Sequence, residues 1–258
     1  MDKVNHSTLA ASGNHLHFDW LLQLVIRPKK TLDLILSETK ANWQTPLLIL
    51  AAAGILETLV AGPIKKAAIE MGSNLPPGFE YYSPEQQRQF MQAQASQSSP
   101  LFLYVFPILG LLLGILVTWF LLRSLLHLSL TLAGSRGKSI LSGNLAGWST
   151  MPLIFRSLVR IVAMLTTKTA ISAKGLSGLI TSTTTAGQFA SALLALIDLY
   201  FIWQVVLILI GSEKISSLPR LKAWGAALVA VVILLLLQAL PAFIGMQLNG
   251  LSFTRMFF

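Results

Sequence analysis

Four charged residues lie inside long apolar stretches of this 258-residue sequence, and they are the first candidates for chemistry. Glu57 and Asp198 are acidic and lie in different stretches, while Arg156 and Arg160 lie in a third. Because the two arginines are four residues apart, a helix would place both on one face. Two interpretations stay open: a carboxylate–guanidinium pairing that lets the arginine helix insert, or a polar cavity for a lipid head group, an ion or a proton path.

The composition indicates a membrane protein. Only 11% of the residues are charged, against about 25% in an average soluble domain, and the mean hydropathy is +0.68. These charges are too few to cover a soluble surface. The net charge of +9 is typical of cytoplasmic loops that face anionic lipid, so we expect the lipid bilayer and no nucleic acid as a partner.

The apolar stretches predict an all-α polytopic membrane protein. A hydrocarbon core needs about 20 mostly apolar residues in a helix. Four predicted spans lie at about 46–64, 101–122, 189–211 and 223–245. The fifth, at about 145–165, contains both arginines, each of which costs roughly 2.5–3.5 kcal/mol at the centre of a helix. We therefore predict five transmembrane helices, or four if this third segment lies in the membrane interface.

The residues before the first span predict a flexible tail and an amphipathic helix. Residues 1–17 are polar, and no cleavable signal peptide is expected. The run KKTLDLILSETK then places one apolar stripe at helical spacing, formed by Leu32, Ile35 and Leu36. We expect this helix to lie on the cytoplasmic leaflet or to dock a soluble partner. Its expected contacts with anionic head groups are Arg27, Lys29 and Lys30.

The distribution of basic residues predicts the orientation. With five spans, one side of the membrane carries 11 Lys and Arg residues and the other side carries 6. With four spans, the split becomes 13 to 6. Both versions place the N-terminus in the cytoplasm, and the five-span version places the C-terminus outside it.

The sequence offers no familiar catalytic or metal-binding pattern. It contains no cysteine, no GxSxG, no HExxH and no Walker loop. The histidines, which are His6, His15, His17 and His127, have no acidic partner at ligand spacing, so we expect neither a metal nor a cofactor. Gly110 and Gly114 form a GxxxG pair that could allow two helices to approach closely.

The layout of the segments resembles the Yip family of integral membrane proteins, and specifically its bacterial branch. The similarity includes the RPKKTLDLILSETKANWQTPL segment, the order of the five hydrophobic stretches and a G-[YW]-S-x-x-P motif. That motif corresponds to Gly147, Trp148, Ser149 and Pro152. The resemblance assigns residues 18–258 to one Yip-like five-helix domain with a cytoplasmic N-terminus and no enzymatic activity. The DLYGP-type motif of the eukaryotic branch is missing, so we expect no GTPase binding.

The resemblance and the residues together predict a function. Eukaryotic relatives are adaptors in vesicle trafficking, and some bacterial relatives accompany ABC-type exporters. We therefore predict a non-enzymatic scaffold or accessory protein of the bacterial inner membrane, which associates with another integral membrane protein or with itself, or acts in membrane organisation. The alternatives are a small transporter or channel, or a lipid-binding protein, that uses Glu57, Asp198, Arg156 and Arg160.

Overall fold

The computed structural model describes residues 16–71, 75–76, 78–171, 175–180 and 184–250, and these ranges contain helices and no β-strand. The predicted all-α class is therefore confirmed. Of the predicted tail, residues 1–15 lie outside the described residues. The α-helices are α1 (Asp19–Ile26), α2 (Pro28–Ser37), α3 (Gln44–Glu70), α4 (Pro84–Gln97), α5 (Phe106–Leu132), α6 (Ser139–Trp148), α7 (Met151–Thr167), α8 (Thr185–Leu194), α9 (Leu199–Ser216) and α10 (Arg220–Gly250).

Five helical segments within the described residues are long and apolar enough to cross a membrane, which agrees with the five-helix prediction. They are Gln44–Glu70, Leu101–Leu132, Ser139–Thr167, Leu199–Ser216 and Arg220–Gly245. The third is the arginine-bearing segment. By length and composition, it qualifies as a span together with the other four.

This third segment consists of two helices that meet at a short break. α6 ends at Trp148 and α7 begins at Met151. Pro152 lies in the first turn of α7 and has no backbone N–H to donate to the preceding turn, which favours the end of α6. The hydroxyls of Ser149 and Thr150 donate to the carbonyls of Ala146 and Gly147 at 2.9 and 2.7 Å. The break is therefore satisfied by local hydrogen bonds.

The structure divides the segment that was predicted as one span at 189–211. α8 ends at Leu194 and α9 begins at Leu199. Asp198 has an extended backbone, and its Oδ1 accepts the N–H of Phe201 at 2.8 Å, so it is the N-cap of α9. The apolar residues on both sides of the break form one continuous hydrophobic stretch in sequence. The break itself depends on a hydrogen bond that hydropathy does not detect.

The predicted amphipathic helix forms as α2, but its apolar stripe faces protein and not lipid. Leu32 and Ile35 are completely buried, and α2 packs against α9, α6 and α1. Asp33 adds an ion pair with Lys214 of α9, with 2.8 Å between Oδ1 and Nζ. The periodicity of the run identified the buried face correctly. It did not identify which surface covers that face.

Helix α2 and two connections meet at one end of the bundle, which we call the α2 end. The chain passes from α5 to α6 there, and Gly137 in that connection lies against the carbonyl of Ile215 near the end of α9, where a side chain would not fit. The ion pair between Asp33 and Lys214 places α2 at the same end. The α2 end therefore gathers α2, the α5–α6 connection and the α9–α10 connection.

A buried polar network fixes the start of α3 to α6 near the α2 end. The indole Nε1 of Trp148 donates to Asn42 Oδ1 at 3.0 Å, and the backbone N–H of Asn42 donates to Asn144 Oδ1 at 3.0 Å. Asn144 in turn donates to the carbonyl of Lys40 at 2.9 Å. Gly147 lies so close to Trp43 that any side chain there would clash with it. The motif residues Gly147 and Trp148 therefore hold two helices in register.

We predict that Trp148→Phe destabilises the protein by about 1–3 kcal/mol, because Asn42 Oδ1 would lose its donor in a buried site. The measurement is the melting temperature of the purified protein in detergent. Trp224→Phe is the matched control, since the buried indole N–H of Trp224 has no hydrogen-bond partner among the described residues. Equal melting temperatures for the two variants would contradict the importance of this hydrogen bond.

Candidate functional site: the intramembrane ion pairs and their cavity

Two ion pairs connect α7 to its neighbours within the bundle. Arg160 Nη1 lies 3.3 Å from Glu57 Oε1 of α3, and Arg156 Nη1 lies 3.3 Å from Asp198 Oδ2 at the start of α9. The four side chains are between 22% and 29% exposed, so each pair is largely enclosed by protein. The structure thus assigns one carboxylate to each arginine, which the sequence left open.

Asp198 has two roles because its two carboxylate oxygens have different partners. Oδ1 caps α9, and Oδ2 receives Arg156. A carboxylate is well suited to both tasks, since the N-terminus of a helix also favours negative charge. Asp198 therefore holds both the beginning of α9 and the Arg156 side chain of α7.

A cavity of about 530 Å³ lies beside these pairs. It is enclosed by α3, α5, α7, α9 and α10, and most of its wall is apolar. The charged and amide side chains in its wall are Glu57, Lys65, Arg156, Arg160, Gln204 and Gln238. Three of these are cationic and one is anionic, so the lining carries a positive excess.

The cavity retains hydrogen-bonding capacity that the ion pairs do not use. Arg156 Nε is buried and has no hydrogen-bond partner among the described residues. Gln238 Nε2, in contrast, donates to Thr118 Oγ1 at 3.0 Å and connects α10 with α5. A cationic lining could bind an anionic or strongly polar group.

The remaining predicted site residues do not line this cavity. Arg27, Lys29 and Lys30 are exposed around the junction of α1 and α2. Ser149 and Pro152 belong to the break between α6 and α7. The structure therefore brings the four intramembrane charges together as two pairs. Pro152 of the motif lies about one helical turn before Arg156 in α7.

Metal ligation finds no support among the described residues, which contain no group of three or more His, Asp or Glu side chains able to hold an ion. His17 stacks on Trp20 with 3.8 Å between the ring centroids, and its Nε2 lies 3.7 Å from Glu38 Oε2. His6 and His15 lie outside the described residues. His127 lines a separate groove near the α2 end.

Sequence reasoning did not identify several polar residues that matter for this architecture. Asn42 and Asn144 form the network with Trp148, and Lys65 and Gln204 line the cavity. Gln204 is 5% exposed within an apolar helix, which is a signal that could have been noticed. Asn42 and Asn144 lie in short polar stretches, where the sequence does not distinguish a buried asparagine from a solvated one.

We predict that Asp198→Asn and Asp198→Ala destabilise the protein to different extents. Asparagine keeps an oxygen that can cap α9 but leaves Arg156 unpaired, whereas alanine removes both interactions. The alanine variant should therefore be less stable than the asparagine variant by about 1 kcal/mol, which is the usual value of a cap. Thermal unfolding in detergent measures both differences.

Ser83→Ala is the control for the cap alone, because Ser83 caps the exposed helix α4 and takes part in no ion pair. We expect it to have a smaller effect than either Asp198 variant. An asparagine variant as stable as the wild type would show that the pair with Arg156 contributes nothing.

The comparisons with known proteins agree with the architecture. A family model described as Yip1 domain matches residues 22–253, which is most of the chain. Neither the comparison with curated proteins nor the comparison with solved structures found a significant match.

Proposed function

Because this chain belongs to the Yip1 domain family and is a multi-pass membrane protein, we propose that it is a non-enzymatic scaffold or accessory protein that associates with another integral membrane protein. The observation that carries the proposal is the exposure of α5. Only 11% of the most apolar 18-residue stretch within Leu101–Leu132 is buried inside the protein, whereas the corresponding share is between 28% and 39% in the other four spans. This helix therefore offers the largest free apolar face to a neighbour in the membrane.

Two glycines on α5 make this face suitable for a partner helix. Gly110 and Gly114 lie one turn apart, and the space where each side chain would be is empty. Leu109 and Leu113 beside them are 57% and 65% exposed. In lipid, helices associate through close packing and small residues, because lipid chains are as apolar as leucine. A partner helix could approach the backbone of α5 at this point.

The ion pairs support the same interpretation. Each intramembrane arginine has a carboxylate partner at 3.3 Å, so neither of these two charges is left unpaired for a substrate. The pairs are well placed to hold the bundle together. The outer helix faces then remain available for association.

We further propose that the α2 end faces the cytoplasm of a bacterium and that the protein resides in the inner membrane. The described basic residues at this end are Arg27, Lys29, Lys30, Lys40, Arg123, Arg136, Lys138, Lys214, Arg220 and Lys222. Those described at the opposite end are Lys65, Lys66, Arg88 and Lys168. The positive-inside rule favours a cytoplasmic α2 end, and an odd number of spans then directs α10 to the other side. An ABC-type exporter is the class of partner that the bacterial branch suggests.

A second candidate function is the binding or passage of a polar solute through the central cavity. It is favoured by the 530 Å³ volume and the cationic lining. Proteoliposomes distinguish the two candidates. Solute or ion flux that disappears in a Glu57→Gln variant that still folds would favour transport, and the absence of flux in the wild type would favour the scaffold.

We predict that the double variant Gly110→Leu, Gly114→Leu releases the partner without unfolding the protein. The leucines would occupy open space, which at Gly114 borders the ion-pair cavity, and would hold a neighbouring helix away. Affinity purification from native membranes in mild detergent, followed by quantitative mass spectrometry, measures the recovery of each membrane protein. Recovery of the specific partner should fall about tenfold or more, equivalent to about 1.4 kcal/mol of association free energy.

Gly225→Leu is the matched control, because Gly225 on α10 also has open space around its Cα. This variant should retain the partner. An unchanged set of co-purified proteins in the α5 variant would contradict association through this face.

A further inference from the structure

A second cavity lies at the α2 end, outside the ion-pair site. It is an open groove of about 430 Å³ between the last turns of α5 and the start of α6. We call it the basic groove. Its lining consists of Phe120, Arg123, Ser124, His127, Leu128, Thr131 and Ser139. The lining thus combines one permanent cation, one histidine, three hydroxyls and two apolar side chains.

Arg123 is held in position from two sides. Its guanidinium carbon lies 5.5 Å from the centre of the Trp119 ring, and its Nη2 donates to Ser139 Oγ at 3.2 Å. Trp119 is itself fixed, because its indole N–H donates to the carbonyl of Gly143 at 3.0 Å. The guanidinium is therefore oriented before any ligand arrives, which reduces the entropy lost on binding.

Arg123 differs from Arg156 and Arg160 in having no carboxylate within ion-pair distance among the described residues. The sequence around it also lacks acidic residues, since no Asp or Glu occurs between Glu85 and Asp198. The adjacent α5–α6 connection adds Arg136 and Lys138, both exposed. The basic groove is therefore a cationic site without an internal counterion.

The surroundings of the groove are those of a membrane interface. Phe120 and Leu128 are 58% and 56% exposed on the free face of α5, and both line the groove. Polar groups at the end of a span match the head group of a phospholipid, and apolar groups along the span match its acyl chains. A free phosphate ion would use the cations but not this apolar wall.

We propose that the basic groove binds an anionic phospholipid, with its phosphate at Arg123 and His127 and its acyl chains along Phe120 and the preceding turns of α5. Arginine binds phosphate through two parallel N–H donors, and basic pockets near the ends of spans bind anionic head groups. The hydroxyl of Ser124 would complete the coordination of the head group, whereas the hydroxyl of Thr131 already donates to the carbonyl of His127 at 2.7 Å. The argument for this lipid site does not rest on the protein partner proposed above, and both occupants would contact the exposed face of α5.

The test is native mass spectrometry of the full chain released from nanodiscs that contain equal amounts of phosphatidylcholine and phosphatidylglycerol. The wild type should retain phosphatidylglycerol in excess over phosphatidylcholine. Arg123→Gln should lower this ratio about fivefold, the usual effect of one basic residue at a lipid surface. Arg123→Lys should retain an intermediate excess, because it keeps the charge but loses the paired donors.

Arg220→Gln is the matched control. Arg220 lies at the same end of the bundle and over a tryptophan ring, with its guanidinium carbon 4.2 Å from the centre of Trp224. Its replacement by glutamine removes the same charge as Arg123→Gln. It faces Glu213, however, and does not line the basic groove. This variant should behave as the wild type. An equal loss in both glutamine variants would overturn the site and indicate general attraction to anionic lipid.

Two further measurements complete the test. If Arg123→Gln does not fold, His127→Gln serves in its place, because the His127 side chain makes no hydrogen bond within the described structure. His127→Gln should also lower the ratio of phosphatidylglycerol to phosphatidylcholine. Inorganic phosphate added to the lipid-free protein in detergent distinguishes the source of the phosphate. A rise in melting temperature that depends on Arg123, without any phosphatidylglycerol excess in nanodiscs, would overturn the lipid assignment in favour of a free anion.

Discussion

The pairing of two arginines in α7 with carboxylates from two other helices is the interaction on which the rest of the bundle depends. A helix with two arginines near its centre inserts poorly by itself, because each guanidinium costs roughly 2.5–3.5 kcal/mol in the hydrocarbon. Glu57 of α3 and Asp198 at the start of α9 each offset this cost for one arginine. α7 is therefore a stable span only when α3 and α9 are in place, so the three helices are mutually dependent.

Polar contacts also organise the α2 end. In a membrane, the hydrophobic effect does not distinguish one apolar neighbour from another, because lipid and leucine are equivalent. Specific packing then comes from hydrogen bonds and close approaches. Asn42, Asn144 and Trp148 provide three such bonds between α6 and the start of α3, and Gly147 brings the two backbones together. The outer face of α5 takes part in neither the network nor the ion pairs, and it is left for lipid and for partners.

Much of this architecture could be predicted from the sequence, because length and hydropathy are local properties. The five spans, the proline at the start of α2 and the buried stripe of Leu32 and Ile35 follow from such patterns. The pairing of Arg160 with Glu57 could not be derived, because it joins residues 103 positions apart and depends on how the helices pack. The break before α9 was not predicted because, in sequence, Asp198 is one charge within a continuous apolar stretch. The basic groove likewise exists only once α5 and α6 fold against each other.

The most direct test of the central claim is an exchange of charges between Glu57 and Arg160. Glu57→Arg and Arg160→Glu each place two like charges together within the bundle, and each should lower the melting temperature strongly, at a cost of about 3 kcal/mol or more. The double variant restores opposite charges and should recover a large part of the lost stability. The same exchange at the exposed pair of Lys66 and Glu70, which lie 3.8 Å apart, should have little effect. A double variant whose loss equals the sum of the two single losses would show that the ion pair does not hold α7 in place.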